Sequence, residues 1–155
     1  MKTGVIEYEG ALYYFNKDGK AQKSKGWFTG SDNKRRYCLG KGKIASGTVK
    51  IGGIWYYFND NGMMATGWKL IGQTWYYLDN SGHMVTGWKL IGGIWYYFET
   101  NGHMITGWKM IGGIWYYFDN SGHMVTGWRQ INGTWYYMDN SGHMITGWSK
   151  IGGIW

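Results

Sequence analysis

The sequence is poor in the residues that build disulfides, membrane spans and acid–base catalytic sites. Its 155 residues include one cysteine, Cys38, which excludes an internal disulfide framework. No segment reaches the ~20 apolar residues of a membrane span, and the N-terminal region contains no apolar run of signal-peptide length. Asp and Glu together number only nine. Other residue types must therefore stabilise the fold and form the functional site.

Those other residues are glycine and large aromatics. The chain contains 28 Gly, 12 Trp and 14 Tyr, has no Pro, and is 20% aromatic. Large rings need to be removed from water, and glycine permits tight turns. Together they indicate short strands, tight turns and a small repeated packing unit.

An exact internal period of 20 residues dominates the sequence from Gly67 onward. The first complete unit reads GWKLIGQTWYYLDNSGHMVT, and the following units differ from it at few positions. Two tryptophan series recur in step: Trp68, Trp88, Trp108, Trp128 and Trp148, and Trp75, Trp95, Trp115, Trp135 and Trp155. Residues 47–66 form one more unit, with Thr48 in place of the leading Trp.

Upstream of residue 47 the pattern survives in degenerate form. In residues 26–46, Arg35, Arg36 and Tyr37 stand at the Trp-Tyr-Tyr positions and Ile44 stands at the Met position. Terminal repeats of a repeat protein are usually atypical because one of their faces has no neighbour. We therefore predict a basic N-terminal cap over residues 1–46 and regular repeats over residues 47–155, the last of them truncated.

Each unit predicts a β-hairpin. A run of strand-forming residues, Trp68–Ile71, precedes the dipeptide Gly72-Gln73 and a second run, Thr74–Leu78. The equivalent dipeptides Gly-Gly and Asn-Gly are those that primed two-residue turns require. Asp79-Asn80-Ser81-Gly82 then predicts a second turn, with hydrogen bonding by the Asp side chain and a glycine at positive φ.

A two-residue turn sets the register of the hairpin. It pairs Leu70 with Trp75 and Trp68 with Tyr77. Strand alternation then puts Trp68, Trp75 and Tyr77 on one face, and Tyr76 points the other way. A single hairpin is marginally stable in water, so the rings must be buried by stacking of hairpins. The predicted fold is all-β, a solenoid or superhelix of stacked 20-residue β-hairpins.

One position fits this register poorly. Leu70 lies on the aromatic face, yet Gln130 and Lys150 occupy its position in later units, whereas the position of Ile71 is always Ile. A β-bulge near the turn would account for this pattern.

Two Trp and one Tyr on one face of every unit exceed what packing alone requires. Ring faces around a groove between hairpins suit a quaternary ammonium ion, a cation without hydrogen-bond donors that water solvates poorly. Methionine adds a polarizable wall. The repeated aromatics therefore predict ligand-lining side chains.

The unit GWKxIGGxWYYFDNSGHMxTGW resembles the choline-binding, or cell-wall-binding, repeats of streptococcal surface proteins, autolysins and phage lysins. The resemblance is close over residues 47–155 and loose over residues 1–46. It implies a hairpin solenoid with a cage at each junction, made of the Trp after Gly, the Trp of Trp-Tyr-Tyr, a Met and an aromatic of the next hairpin.

Carried over to this chain, the resemblance implies three complete cages. They consist of Trp68, Trp75, Met84 and Tyr97; of Trp88, Trp95, Met104 and Tyr117; and of Trp108, Trp115, Met124 and Tyr137. The second Tyr of each triplet is chosen because alternation places it on the Trp face, and the first Tyr is the alternative.

Two further junctions are predicted to be defective. Thr48 removes a ring from the junction of Trp55, and the cage of Trp128, Trp135 and Met144 lacks its following Tyr because the sequence stops at Trp155. We expect either that the chain is part of a longer wall hydrolase or surface protein, or that the C-terminal hairpin self-associates and buries Trp148 and Trp155 against a second copy.

Other functional classes find little support. The periodic histidines are predicted to be turn residues rather than metal ligands, because successive hairpins displace them from one another and no carboxylate or Cys recurs beside them. They are His83, His103, His123 and His143. The carboxylates recur one per unit in a turn, so we predict no catalytic site and no cofactor. Nucleic-acid binding would need basic residues interleaved with the rings, and here they are segregated.

The segregated charge suggests the partner. Residues 1–50 hold 11 Lys or Arg against four carboxylates, a net charge of +7, and residues 51–155 are neutral. A basic region can steer a molecule toward an anionic polymer, whether teichoic phosphate, nucleic acid or a membrane, and the alternative is a solvated surface with no partner. We predict a non-catalytic extracellular module of the bacterial cell wall or surface that binds choline or choline-decorated teichoic acid. The alternative is a solenoid that binds glucan-type carbohydrate.

Overall fold

The computed structural model describes residues 2–147, 151 and 153 and contains two compact units, Met1–Val85 and Thr86–Trp155. All regular secondary structure in the described residues is β. This confirms the all-β prediction. No helix in this part of the chain has the length and apolar character needed to span a bilayer.

The first unit contains nine strands. They are β1 (Gly4–Tyr8), β2 (Ala11–Phe15), β3 (Gly26–Thr29), β4 (Arg35–Gly40), β5 (Lys43–Ile44), β6 (Gly47–Ile51), β7 (Ile54–Phe58), β8 (Gly67–Ile71) and β9 (Thr74–Leu78). The first five strands form one antiparallel sheet in the order β1-β2-β5-β4-β3, whereas β6–β7 and β8–β9 are separate hairpins. The degenerate repeats therefore differ from the regular ones in sharing a sheet.

The described residues of the second unit form three regular hairpins. Its strands are β10 (Gly87–Ile91), β11 (Ile94–Phe98), β12 (Gly107–Ile111), β13 (Ile114–Phe118), β14 (Gly127–Ile131) and β15 (Thr134–Met138). Each pair is antiparallel and two-stranded. The hairpins thus repeat every 20 residues, as the sequence period predicts.

The predicted register is confirmed without a shift. Leu70 pairs with Trp75 and Trp68 pairs with Tyr77 in β8–β9. The proposed bulge near this turn is wrong, because the pairing continues to the last residue pair before the turn. Leu70 is 48% exposed. A polar residue such as Gln130 at the equivalent position therefore causes little loss of stability.

Both predicted turns are confirmed. Asn132 and Gly133 have φ of +48° and +84°, the two positive values of a type I′ turn, and only Gly or a residue such as Asn adopts them readily. In the second turn the carboxylate of Asp79 accepts hydrogen bonds from the backbone N–H groups of Ser81 and His83, at 2.8 and 2.9 Å. These bonds close the loop that leads to the next hairpin.

The core lies on the hairpin face that carries the first Tyr. Tyr56, Tyr96 and Tyr116 are buried, and the last residue of each second strand is fully buried: Phe58, Leu78, Phe98, Phe118 and Met138. Strand alternation puts these residues together, on the face opposite the paired tryptophans. Each hairpin therefore has a core face and an aromatic face.

A charged pair takes the place of an aromatic in the N-terminal sheet. Arg36 stands at a Tyr position, is 3% exposed, and donates two hydrogen bonds of 2.7 Å to Asp32. The hydrogen bonds from Arg36 lower the pKa of Asp32 to about 2. Cys38, beside it in β4, is a buried free thiol.

Candidate functional site

The pairing of the two strands within each hairpin brings the rings of its aromatic face together. In β10–β11 the indole of Trp88 meets Trp95 edge-on at 6.2 Å and Tyr97 at 5.2 Å between ring centroids. The same arrangement recurs in β12–β13, where Trp108 lies 6.3 Å from Trp115. The prediction that both Trp and the second Tyr share one face is confirmed.

The next hairpin contributes its core face to this cluster. Trp88 contacts Tyr116 at 4.8 Å and Phe118 at 5.7 Å between ring centroids. Trp108 contacts Tyr136 in the same way, also at 4.8 Å. The leading Trp of each hairpin is therefore packed against its neighbour, while Trp95 and Trp115 remain 43% and 39% exposed. One ring of each pair supports the packing and the other faces solvent.

A methionine of the following repeat closes the junction. The backbone N–H of Met124 donates to the carbonyl of Trp95 at 2.9 Å, and that of Met144 donates to Trp115 at 2.8 Å. The Met124 side chain lies over Gly142, where an added Cβ would come within 2.6 Å of its sulfur. Glycine at this turn position thus leaves the space that the thioether fills.

These side chains surround an open groove of about 450 Å³. Its lining residues are Trp88, Trp95, Tyr116, Met124, Asn140 and Ser141. None of them carries a formal charge. Burial and the nearby negative charge of Asp139 raise the pKa of Tyr116, so its phenol stays neutral at physiological pH. Ring faces and a thioether around such a groove suit a poorly hydrated cation.

The observed cluster differs in two members from the cage predicted around Trp88 and Trp95. Tyr116 replaces Tyr117, and Met124 replaces Met104. Alternation correctly put the second Tyr on the Trp face, but that Tyr packs against the Trp of its own hairpin. The neighbouring hairpin presents its opposite face, which carries the first Tyr. Likewise Tyr136 and Met144, rather than Tyr137 and Met124, lie with Trp108 and Trp115.

The remaining predicted sites are only partly described. Trp68, Trp75 and Tyr77 form the expected face of β8–β9. The backbone of Met84 is bonded to Trp55, and so Met84 joins a different junction from the predicted one. The cage predicted from Trp68, Trp75 and Tyr97 draws on both units and stays a prediction.

At the C-terminal end, Trp128 contacts Tyr137 of its own hairpin at 5.2 Å. Trp128 and Trp135 are 58% and 61% exposed, more than their counterparts in the preceding hairpins. Trp148 and Trp155, which were predicted to mediate self-association, lie outside the described residues.

The periodic histidines contact an aspartate and a tyrosine. His83, His123 and His143 each lie 3.2–3.4 Å from the aspartate of their own turn. Each ring also packs edge-on against a Tyr of the preceding hairpin, at 5.4 Å. The premise that no carboxylate recurs beside the histidines is therefore wrong, because each of these turns places its own aspartate there, and the ring packing was not predicted. No group of three metal-ligating side chains occurs among the residues that the structure describes.

The repeats of this chain match two families of repeats. Residues 45–86 and 85–126 match the choline-binding repeat family, and residues 6–21 and 126–144 match the putative cell wall binding repeat. A search of curated protein sequences found no significant match.

Three solved structures illustrate the structural likeness. Choline-binding protein F of Streptococcus pneumoniae is 42% identical with a TM-score of 0.83, over 93% of this chain and 52% of that chain. CbpJ of the same species is 38% identical with a TM-score of 0.81, over 93% and 52% of the two chains. A pneumococcal cell wall endolysin of phage Cp-1, complexed with choline, is 33% identical with a TM-score of 0.56, over 85% and 40%.

The chain therefore spans about half the length of the first two of these proteins and less of the third. Its repeats match the family model over residues 45–126, more than half of its own length. This protein belongs to the family of choline-binding repeat proteins.

Proposed function

We propose that this chain is a non-catalytic cell-wall-binding module that recognises choline groups on teichoic or lipoteichoic acid. The observation that carries the proposal is the groove at the junction of β10–β11 and β12–β13, in which Trp88, Trp95, Tyr116 and Met124 converge. Its lining includes no charged side chain that would bind an anion or a metal ion.

The chemistry of choline matches this lining. A trimethylammonium group has no hydrogen-bond donor, spreads its charge over methyl groups and is attracted by the faces of aromatic rings. Each such contact is worth roughly 0.5–2 kcal/mol, so a cage of three rings should bind choline with a dissociation constant on the order of millimolar. Half-exposed Trp95 leaves the groove open to the ligand.

Repetition of the cage converts weak sites into firm attachment. The junction of Trp108, Trp115, Tyr136 and Met144 has the same ring distances as that of Trp88. Several weak sites on one chain raise the effective concentration for a polymer that carries many choline groups. A choline-bearing wall polymer is therefore the expected partner, and the bacterial cell surface is the expected location.

The proposal is supported by relatives that bind related ligands. The phage Cp-1 endolysin was solved complexed with choline, and choline-binding protein F was solved in the presence of a peptidoglycan analogue. Their likeness to this chain extends over most of its described residues.

The test is a titration followed at individual tryptophans. In ¹⁵N–¹H spectra of the full chain, we expect choline to shift the indole resonances of Trp95 and Trp115 saturably, with a midpoint of roughly millimolar. Trp95→Ala should abolish the response of the Trp88 indole, which remains in this cage, and leave that of Trp115 intact. Ile94→Ala is the matched control, because Ile94 is similarly exposed but points away from the groove.

The same titration distinguishes a choline-binding site from a carbohydrate-binding site. Tetramethylammonium should act like choline, and ammonium should have no effect, since the cage recognises the methylated cation. A clear response to glucan oligomers with no response to choline would contradict the proposal and support the carbohydrate alternative. If Ile94→Ala loses the choline response and Trp95→Ala keeps it, the choline site does not lie in this groove.

A further inference from the structure

The junction between β3–β4 and β6–β7 reproduces the cage geometry in the degenerate part of the chain. Trp27 contacts Tyr56 at 4.9 Å and Phe58 at 5.8 Å, compared with 4.8 and 5.7 Å for Trp88 with Tyr116 and Phe118. It also meets Tyr37 of its own hairpin at 5.2 Å, as Trp88 meets Tyr97. The first wall of a cage is therefore present.

The methionine wall is present as well. The backbone N–H of Met64 donates to the carbonyl of Arg35 at 2.8 Å, the bond that Met124 makes to Trp95. The sulfur of Met64 lies over Gly82, as that of Met124 lies over Gly142. Met64 also packs against the same buried cluster as Trp27.

The difference lies at the position of the second tryptophan. Arg35 takes the place of Trp95 in the hairpin register, and its guanidinium carbon lies over the Trp27 ring, 4.6 Å from the centroid. Arg35 is exposed and makes no ion pair with a carboxylate in the described part of the chain. The contact that the structure gives for its cation is therefore the ring face of Trp27.

A second junction of the same unit shows the same feature. At the junction of Trp55, where Thr48 replaces the leading Trp, the ammonium of Lys50 lies 5.5 Å from the centroid of the Trp55 ring. In the four regular hairpins that follow it in the described residues, the residue at the position of Lys50 is uncharged: Leu70, Leu90, Met110 and Gln130. The last unit of the sequence has Lys150 there. The chain thus supplies its own cation at each described junction that lacks one Trp.

We propose that Trp27, Tyr56 and Met64 form a further quaternary-ammonium site that Arg35 keeps closed by occupying the ring face with its own guanidinium. This inference rests on the proposed function, because the ligand class is that of the regular cages. A tethered group acts at an effective concentration of millimolar or more. A free ligand whose dissociation constant is itself on the order of millimolar cannot displace it efficiently.

The experiment follows the indole resonance of Trp27, identified by its loss in Trp27→Phe, during a titration of the full chain with tetramethylammonium chloride. In the wild type we expect no shift of this resonance at concentrations that saturate Trp95. Arg35→Ala should make it respond saturably. Arg35→Trp, which restores the second ring, should give a midpoint close to that of Trp95.

Two control variants test whether the cation of Arg35 over the Trp27 ring is what closes the site. Arg35→Lys keeps a cation at the ring and should leave the site closed. Lys34→Ala removes one neighbouring charge without touching the ring, and it should behave as the wild type. Because Arg35 is exposed, its replacement should leave the fold intact, which the unchanged dispersion of the other resonances would verify.

The possible results discriminate between this inference and the proposed function. If Trp95 and Trp115 respond but Trp27 is silent in both Arg35→Ala and Arg35→Trp, the additional site does not exist. If Trp27 responds in the wild type together with Trp95, Arg35 does not close the site. If none of these tryptophans responds in any variant, the proposed function itself is wrong and this inference fails with it.

Discussion

At the residue scale, a cage side chain can serve packing and binding at the same time. Tyr116 is 8% exposed, contacts Trp88 and lines the groove. Burial on this core face, together with the nearby carboxylate of Asp139, raises the pKa of its phenol above the usual value near 10. Ionisation of the Tyr116 phenol is thus less favourable in the folded protein than in the unfolded chain.

The raised pKa predicts a loss of stability at alkaline pH. A phenol whose pKa is higher in the folded state contributes stability that is fully present below the unfolded pKa, and this stability is lost as pH rises through the folded pKa. Between pH 9 and 11.5, on either side of about 10, the free energy of unfolding of the wild type should fall more than that of Tyr116→Phe. Urea denaturation at each pH measures both.

Tyr117→Phe is the control for this comparison, because Tyr117 lies on the opposite face of the same strand. This variant also removes one phenol from the strand but keeps the buried one, so it controls for the loss of a tyrosine hydroxyl as such. Equal alkaline losses in the wild type and Tyr116→Phe would mean that the phenol of Tyr116 ionises as easily in the folded state as in the unfolded chain.

At the element scale, each junction is assembled from three consecutive repeats. The groove at Trp88 takes its ring pair from β10–β11, Tyr116 from β12–β13, and Asn140 and Ser141 from the turn after β15. Gly142 in that turn has φ of +82° and lies under Met124. The turn of one repeat therefore positions the thioether of the repeat before it.

We predict that Gly142→Ala weakens choline binding at the Trp88 cage. The new methyl group would displace the flexible side chain of Met124, and the loss of a thioether–aromatic contact of roughly 0.3–1.5 kcal/mol corresponds to about 2- to 10-fold in affinity. The indole shift of Trp95 in a choline titration measures the effect. Met124→Ala should reduce affinity to a similar degree.

Gly113→Ala separates steric displacement from backbone strain. Gly113 has φ of +84°, but its added Cβ would meet no atom within 4 Å. Both substitutions should destabilise the fold through a left-handed residue, by about 1–2 kcal/mol each. Only Gly142→Ala should weaken binding, and a comparable loss of affinity in Gly113→Ala would refute the role assigned to the turn.

At the scale of the whole molecule, charge and aromatic cages lie in different parts of the sequence. The net charge of +7 belongs to residues 1–50, whereas the regular cages with two Trp begin at Trp68. Lys17, Lys20 and Lys23 are exposed side chains of the basic region. Such charges attract a polyanion over about a Debye length, and salt screens them.

We expect the basic region to contribute to polymer binding but not to choline binding. Replacement of Lys17, Lys20 and Lys23 by Gln should reduce the salt dependence of binding to choline-bearing teichoic acid between about 0.05 and 0.5 M salt, where the Debye length falls from roughly 14 Å to roughly 4 Å. Binding of free choline should be unchanged. Sedimentation or surface binding at several salt concentrations measures the slope, and identical slopes for variant and wild type would leave these lysines without a role in attachment.

The sequence alone determined the parts of the fold that depend on local chemistry. The period of 20, both turns and the strand register follow from Gly, Asn and Asp at fixed positions and from strand alternation, and the observed pairing of Trp68 with Tyr77 agrees. The choice of aromatic cages as the candidate site also came from the sequence. The division of the chain at residue 46 stays a prediction.

Only the tertiary structure decided which residues of neighbouring repeats meet. Alternation assigns every side chain of a hairpin to a face, but it does not say which face the next hairpin presents. The neighbour presents its core face, so Tyr116 and Met124 close the groove, whereas Tyr117 packs within its own hairpin. The position of Arg35 over Trp27 is equally invisible in the sequence, because a long, flexible side chain can reach solvent or a ring from the same backbone position.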